Sequence, residues 1–258
     1  MKEEIDVLIP IYNSNRDYLC ASIDSIHNQT IKNNIICILN GMDSNKNELY
    51  RNLLSKLGVQ IIVECPYKGV ASALNYGFKF SKSQFIARQD DDDISHPERL
   101  YLQYDFMKNN NIDVLGTNIK IINKFNQIIE KRKYPVKDYE CKKTLVSRTC
   151  FAHPSVMMRR EFMLNNSYPL TGSEDYALWL TGYYSSNYSN LPKYLYYWRR
   201  HENQASSKVI PYLYSRKSLQ IIKNEFNLFS KINLYFVLLL RILICFIKRR
   251  KIDNETIL

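Results

Sequence analysis

Four short apolar runs set the terms on which this chain can fold: IDVLIPI at 5–11, NIICILN at 34–40, VQIIVE at 59–64 and QFIARQ at 84–89. Runs of this length, rich in Ile and Val and free of strict polar alternation, suit strands covered on both faces, as in a parallel sheet. Each ends abruptly, at Tyr12-Asn13-Ser14, at Gly41, at Pro66 and at Asp90. Helical patterns lie between them: a polar one through His27, then 45–57 and 70–81. Strand, helix, strand, helix predicts an α/β fold with a doubly wound parallel sheet. In such sheets a ligand sits beyond the carboxyl ends of the strands. Pro10–Asn13, Asn40–Asp43, Glu64–Lys68 and Asp90–Asp93 all fall there, so one crevice is expected to collect them.

The fourth run leads into ARQDDDDISHPERL, residues 87–100, where Asp90, Asp91, Asp92 and Asp93 stand side by side in a chain of formal net charge +11. Adjacent carboxylates repel one another, so such a cluster either faces water or is held by a cation or a set of donors. The SHPE that follows has capping-box spacing, with Ser95 as the expected cap, Pro97 in the first turn and Glu98 reaching back. The six cysteines form no C-x-x-C pair and no metal-ligand spacing, and several sit in apolar runs. Buried free thiols, a reducing compartment and a cytoplasmic location are expected.

Charge is unevenly placed. Residues 206–258 hold ten Lys/Arg against three Asp/Glu, a net of +7, whereas residues 1–205 hold 26 against 22, a net of +4. The basic excess accompanies an apolar stretch, Leu234–Ile247, interrupted by Arg241 and followed by Lys248–Lys251. That stretch is short for a bilayer span, which wants ~20 apolar residues. An interfacial helix on the anionic inner face of the membrane is expected, with a helix packed on the domain as the plainer alternative. A nucleic-acid partner is not expected, because the excess charge adjoins apolar sequence instead of striping the main domain.

The ordered motifs VLIPIYN, KGVASALNYGF at 68–78, ARQDDDDISHPERL and GSEDYALWL at 172–180 resemble those of the inverting, GT-A-fold glycosyltransferases of family 2, over about residues 5–205. The resemblance implies a GT-A catalytic domain over 1–205, with a Rossmann-like, mostly parallel central sheet flanked by helices, and a basic helical extension over 206–258. It also implies a UDP-sugar donor and a divalent cation, Mn²⁺ or Mg²⁺. Aligned with the D-A-D-D form of the family, Asp90 contacts the ribose or metal, Asp92 is the main metal ligand and Asp91 takes the variable position, with a shift to 91–93 left open. Asp175 is implied as the general base, Glu174 as its acceptor-orienting neighbour and His201 as a further metal ligand, ahead of His153. Pro10, Tyr12, Asn13, Lys68 and Arg88 match donor-contact positions. The second strand ends in LNGMDS where relatives carry acids, so Asn40 or Asp43 would meet the base. Arg199 or Arg200 would pair with the diphosphate, and Trp179 would form an acceptor wall. The implied reaction moves a hexose, galactose or glucose in β-1,3 linkage, to a lipid-linked glycan in O-antigen or lipooligosaccharide synthesis. A non-catalytic nucleotide- or glycan-binding module on the same fold is the alternative.

Overall fold

A computed structural model describes residues 5–146, 148–170 and 174–201. The expected membrane helix, the rest of the 206–258 extension, Cys245 and Ser173 lie outside the described residues.

The chain runs β1 (Ile5–Ile11), α1 (Arg16–His27), β2 (Asn34–Asn40), α2 (Ser44–Lys56), β3 (Ile61–Cys65), α3 (Val70–Phe78), β4 (Phe85–Arg88), β5 (Ile94–Ser95) and α4 (Arg99–Asn109). It continues through β6 (Val114–Ile122), β7 (Ile128–Arg132), α5 (Asp138–Leu145), a short 3₁₀ turn at His153–Ser155, β8 (Met157–Arg159), α6 (Arg160–Asn165), α7 (Glu174–Thr181) and β9 (Tyr188–Arg199). The sheet order is β3-β2-β1-β4-β8-β6-β9-β5, with β7 paired to β6. Strands β1 to β4 are parallel. The short β8 then splices in the second half, antiparallel to both β4 and β6, while β6 and β9 run parallel.

Side chains alternate across the strands with period two. Leu8, Ile36, Ile38 and Ile86 pack with α3 and α5–α7 on one face, whereas Val7, Ile9, Cys37 and Leu39 pack with α1, α2 and α4 on the other. Helix α3 lies close on the sheet because Gly77 has no Cβ; one added there would meet Ile38 Cγ1 at 2.5 Å. Pairing of β1 with β4 stops at Leu8↔Arg88, so Pro10, which has no N–H to offer, sits past the last rung on that side.

At the amino end of β1 a buried carboxylate ties the layers together. Asp6 accepts from Ser81 Oγ at 2.7 Å, Lys82 N at 2.7 Å, Ser83 N at 2.9 Å, Ser83 Oγ at 2.8 Å and Asn34 Nδ2 at 2.9 Å. Burial opposes its charge, but these donors outweigh that and hold the carboxyl below its usual range.

The start of α4 differs from the expected capping box. The helix begins at Arg99, and Glu98 makes no side-chain cap. Ser95 is instead drawn into a buried network: its hydroxyl donates to Gln89 Oε1 at 2.8 Å and accepts from Arg99 Nη1 at 2.8 Å. Arg99, wholly buried, also donates to Gln89 Oε1, Gln103 Oε1 and the carbonyls of Arg88 and Val156, and it lies over the Tyr196 ring. Desolvation pushes its guanidinium down to about 10. A fully satisfied buried Arg fixes the segment before it, and that segment carries the four aspartates.

Candidate active site

The carboxyl ends of the parallel strands β1 to β4 lie at one edge of the sheet, where the crevice is expected, and Arg199 at the end of β9 bonds to the segment that leaves β4. The run Asp90–Asp93 leaves β4 pinned at each step. Ser22 Oγ donates to the Asp90 carbonyl at 2.7 Å, and Asp90 N donates to Tyr196 Oη at 3.1 Å. Arg199 Nε donates to the Asp92 carbonyl at 2.8 Å, Arg199 N to Asp93 Oδ1 at 2.7 Å and Gln89 Nε2 to the Asp93 carbonyl at 3.0 Å.

With the backbone held, the four side chains part company. Asp90, Asp92 and Asp93 each present an oxygen within a 4.8 Å cluster. Asp91 turns away, accepting from Ser14 Oγ and from the Tyr12 backbone N–H. His201 Nε2 meets Asp92 Oδ2 at 2.7 Å. Burial, and next the charge of Asp90, holds the Asp92 carboxyl above its usual range despite His201; burial and the charge of Asp92 hold Asp93 well above it. Burial and the Asp92 charge push Asp91 up to about 7. The protein's own cations therefore leave this cluster under-compensated. Three convergent hard oxygens with excess negative charge suit a divalent cation such as Mn²⁺ or Mg²⁺, so the residues present fit the expected ion.

Around the cluster lie the other expected donor contacts. Pro10 is buried within β1 and carries Tyr12 and Asn13 out of the sheet; Tyr12 is half-exposed, and Asn13 has φ +50°. Lys46 Nζ donates to Asn13 Oδ1 at 3.1 Å and Tyr50 Oη to the Ser14 carbonyl at 2.9 Å, so this loop is anchored from α2 as well as from Asp91. Asp43 caps α2, accepting from Lys46 N at 2.9 Å. Gly41 has φ +59°, and a Cβ there would strike Lys68, so β2 and the loop carrying the exposed Lys68 touch backbone to backbone. Asn40 Oδ1 is buried with no hydrogen-bond partner.

Deeper in the crevice, Arg88 Nη2 pairs with Asp90 Oδ1 at 2.6 Å, and Asp90 helps keep the guanidinium charged although burial opposes it. Its Nε and Nη1 are buried without partners. Glu174 and Asp175 are the first residues of α7, and the charges of Arg88 and Asp90 act on both. Burial raises both carboxyls above their usual range. His153 is buried, its Nε2 3.0 Å from Tyr168 Oη, and desolvation keeps its ring neutral.

Two expected roles are corrected. Trp179 is no acceptor wall: it is 0% exposed, enclosed by Phe151, Phe162 and His153 with ring centroids 5.1, 6.2 and 6.0 Å away. Arg199 is buried and committed to protein groups, with Nη1 donating to Asn126 Oδ1 at 2.7 Å and its guanidinium 4.2 Å over the Tyr18 ring; Arg200 reaches outward to Glu130 at 2.7 Å. The sequence alone does not mark Ser14, Gln89 or Tyr168 as part of the site. Arg99 carries a signal, since it shares a helix face with Gln103 at i,i+4 and follows the acidic run.

Over residues 6–167 the sequence matches the family described as Glycosyl transferase family 2. The O-antigen biosynthesis glycosyltransferase WbnJ of Escherichia coli is 36% identical over 180 residues, 68% of this chain and 70% of that protein. The UDP-Glc:alpha-D-GlcNAc-diphosphoundecaprenol beta-1,3-glucosyltransferase WfgD of Escherichia coli is 31% identical over 178 residues, 69% of this chain and 68% of that one. Among solved structures, S. aureus TarS 1-349 in complex with UDP-GlcNAc superposes with a TM-score of 0.66 at 18% identity, covering 90% of this chain and 70% of that one. The mannosyltransferase PcManGT from Pyrobaculum calidifontis, in complex with GDP-Man and Mn2+, gives 0.59 at 12% identity, covering 93% and 81%. These two likenesses bear on the fold, which is GT-A.

Proposed function

The chain belongs to glycosyltransferase family 2 and is a glycosyltransferase, and from that premise we propose that it moves a hexose from a UDP-sugar to a lipid-linked glycan, inverting the anomeric centre. The observation that carries the reading is the convergence of Asp90, Asp92 and Asp93 oxygens beside Arg88, whose Nε and Nη1 are buried without partners.

The loop Tyr12–Ser14, Asn40, Asp43 and Lys68 line the nucleotide end of the crevice. Asn40 Oδ1, an unpartnered buried acceptor, suits a base N–H, because a buried acceptor left unmatched is costly. Asp90, Asp92, Asp93 and His201 would hold the divalent ion, which supplies neutralisation of the charge that develops on the departing diphosphate. The free N–H groups of Arg88 suit a donor phosphate or sugar oxygen. Asp175 accepts the proton of the acceptor hydroxyl as that oxygen bonds to the anomeric carbon; the bond from that carbon to the diphosphate breaks, and UDP takes the electron pair. Burial suits Asp175 to this task, since a raised pKa makes a stronger base. Glu174 beside it would orient the acceptor.

WbnJ's name places that relative in O-antigen biosynthesis, and WfgD's describes glucosyl transfer from UDP-Glc to a diphosphoundecaprenol-linked GlcNAc. WfgD's name supports a lipid-borne acceptor and a β-1,3-glucosyl product here, with galactosyl transfer the other hexose we propose. We assign catalysis to 1–205, and to the 206–258 extension a peripheral hold on the inner membrane face. No described helix is long and apolar enough to cross a membrane. The test is transfer from UDP-hexoses to a polyprenyl-diphosphate sugar with Mn²⁺. Parental rates in both Asp92→Asn and Asp175→Asn would overturn the roles, and UDP binding without product would overturn the enzyme reading.

A further inference from the structure

We infer that the hairpin formed by β6 and β7 is a docking surface for an anionic phospholipid bilayer. Its turn exposes Phe125 by 69%, and the returning strand exposes Ile128 by 49% and Ile129 by 50%. These three lie within five residues of one another, and the two isoleucines stand on a strand whose residues are nearly all exposed and which, among the described residues, pairs with β6 alone. Apolar side chains on a strand of this kind are an aggregation hazard unless something covers them.

The charge around them says what fits. Residues 120–133 carry Lys120, Lys124, Lys131, Arg132 and Lys133 against Glu130 alone, a net of +4. Fourteen residues thus hold a charge equal to the net of the first 205. Lys120 and Lys131 lie 5.0 and 5.8 Å over the rings of Tyr197 and Tyr194 on the neighbouring strand β9, and Glu130 is taken up by Arg132 and Arg200. An apolar tip ringed by cations and tyrosines matches the boundary between acyl chains and anionic headgroups, where each part of the hairpin finds its own solvent. A second copy of the chain would set +4 against +4. Nucleic acid would leave Ile128 and Ile129 without a stacking partner.

The position of the hairpin adds a consequence. Its turn is bonded to Arg199 through Asn126 Oδ1 and the Asn123 carbonyl, and the same Arg199 holds Asp92 and Asp93. A hairpin lying on the bilayer would keep the aspartate cluster near the lipid boundary, one side chain removed from it. His201, after which the chain continues into 202–258, also lies at this edge of the crevice.

The test uses the full-length chain and sucrose-loaded vesicles of phosphatidylcholine with or without phosphatidylglycerol, so it needs no sugar donor and its failure leaves the transfer reading intact. Phe125→Ser/Ile128→Ser/Ile129→Ser and Lys124→Glu/Lys131→Glu should each lower sedimentation with anionic vesicles by at least about tenfold, with UDP binding unchanged. Phe125→Trp should add indole fluorescence that brominated acyl chains quench. Parental sedimentation in both multiple variants, or an unquenched Trp at 125, would overturn the proposal and leave lipid binding to the C-terminal extension. The same holds if the substitutions abolish self-association or RNA binding while vesicle binding persists.

Discussion

His201 Nε2 stands 2.7 Å from Asp92 Oδ2, joining the end of β9 to the carboxylate cluster that leaves β4. The two residues are 109 positions apart in the chain, and their contact closes the crevice. If His201 shares or orients the ion held by Asp92, His201→Ala should weaken Mn²⁺ binding in the presence of UDP by roughly 10–100-fold. Calorimetric titration decides this; an unchanged affinity would reduce His201 to a pin for the strand end.

Asp175 should show itself in a pH profile. Its carboxyl is raised by burial, and a base works only when deprotonated, so activity should fall on the acid side at a pH above the ordinary carboxylate range. Asp175→Asn should lose about 10²–10⁴-fold in transfer while UDP binding holds. An acid limb that stays in place after substitution by a second base, or that sits near pH 4 in the parent, would remove the role.

Asp91 makes a prediction about stability. Its pKa rises on folding to about 7, so the folded state binds more protons than the unfolded one between the unfolded value and 7. Metal-free protein should therefore become less stable as the pH rises through that window, and the cost should be complete above pH 7. Asp91→Asn should lessen the dependence of the melting temperature between pH 5 and 8, while the raised Asp92 and Asp93 carboxyls keep part of it. A parent with no such slope would contradict it.

Trp179 should matter for stability and not for the acceptor. Enclosed as it is, Trp179→Ala should cost about 3–5 kcal/mol. The milder Trp179→Phe should leave the acceptor KM unchanged, whereas an acceptor-specific change would restore the surface role denied above.

The first half of the fold could be read from the sequence because β1, β2 and β4 are buried on both faces, and such strands write themselves as unbroken apolar runs; β3, at the sheet edge, is apolar except for the exposed Glu64. The second half could not. Strand β9 holds four tyrosines and a proline, and its pairing with β6 carries register shifts that no local pattern encodes. The crevice was legible as a place, since it follows from strand ends alone. Its internal roles were not: Ser95 looks like a cap until Arg99 claims it, and Trp179 looks equally suited to a sugar or to a core until Phe151 and Phe162 surround it. Such choices are made by residues distant in sequence.

The same distance effect bears on the acidic run itself. Four identical letters occupy four different surroundings: one aspartate salt-bridged to a guanidinium, one bent back to a serine, one against an imidazole, one sealed beneath a main-chain amide. Deleting any one and inserting another at the far end would leave the spelling untouched, yet shortening or lengthening the run by one would hand every member its neighbour's post. Relatives of this chain should accordingly be compared by the phase of their acids relative to Arg88 and Ser95, because a tally of acids would miss the difference.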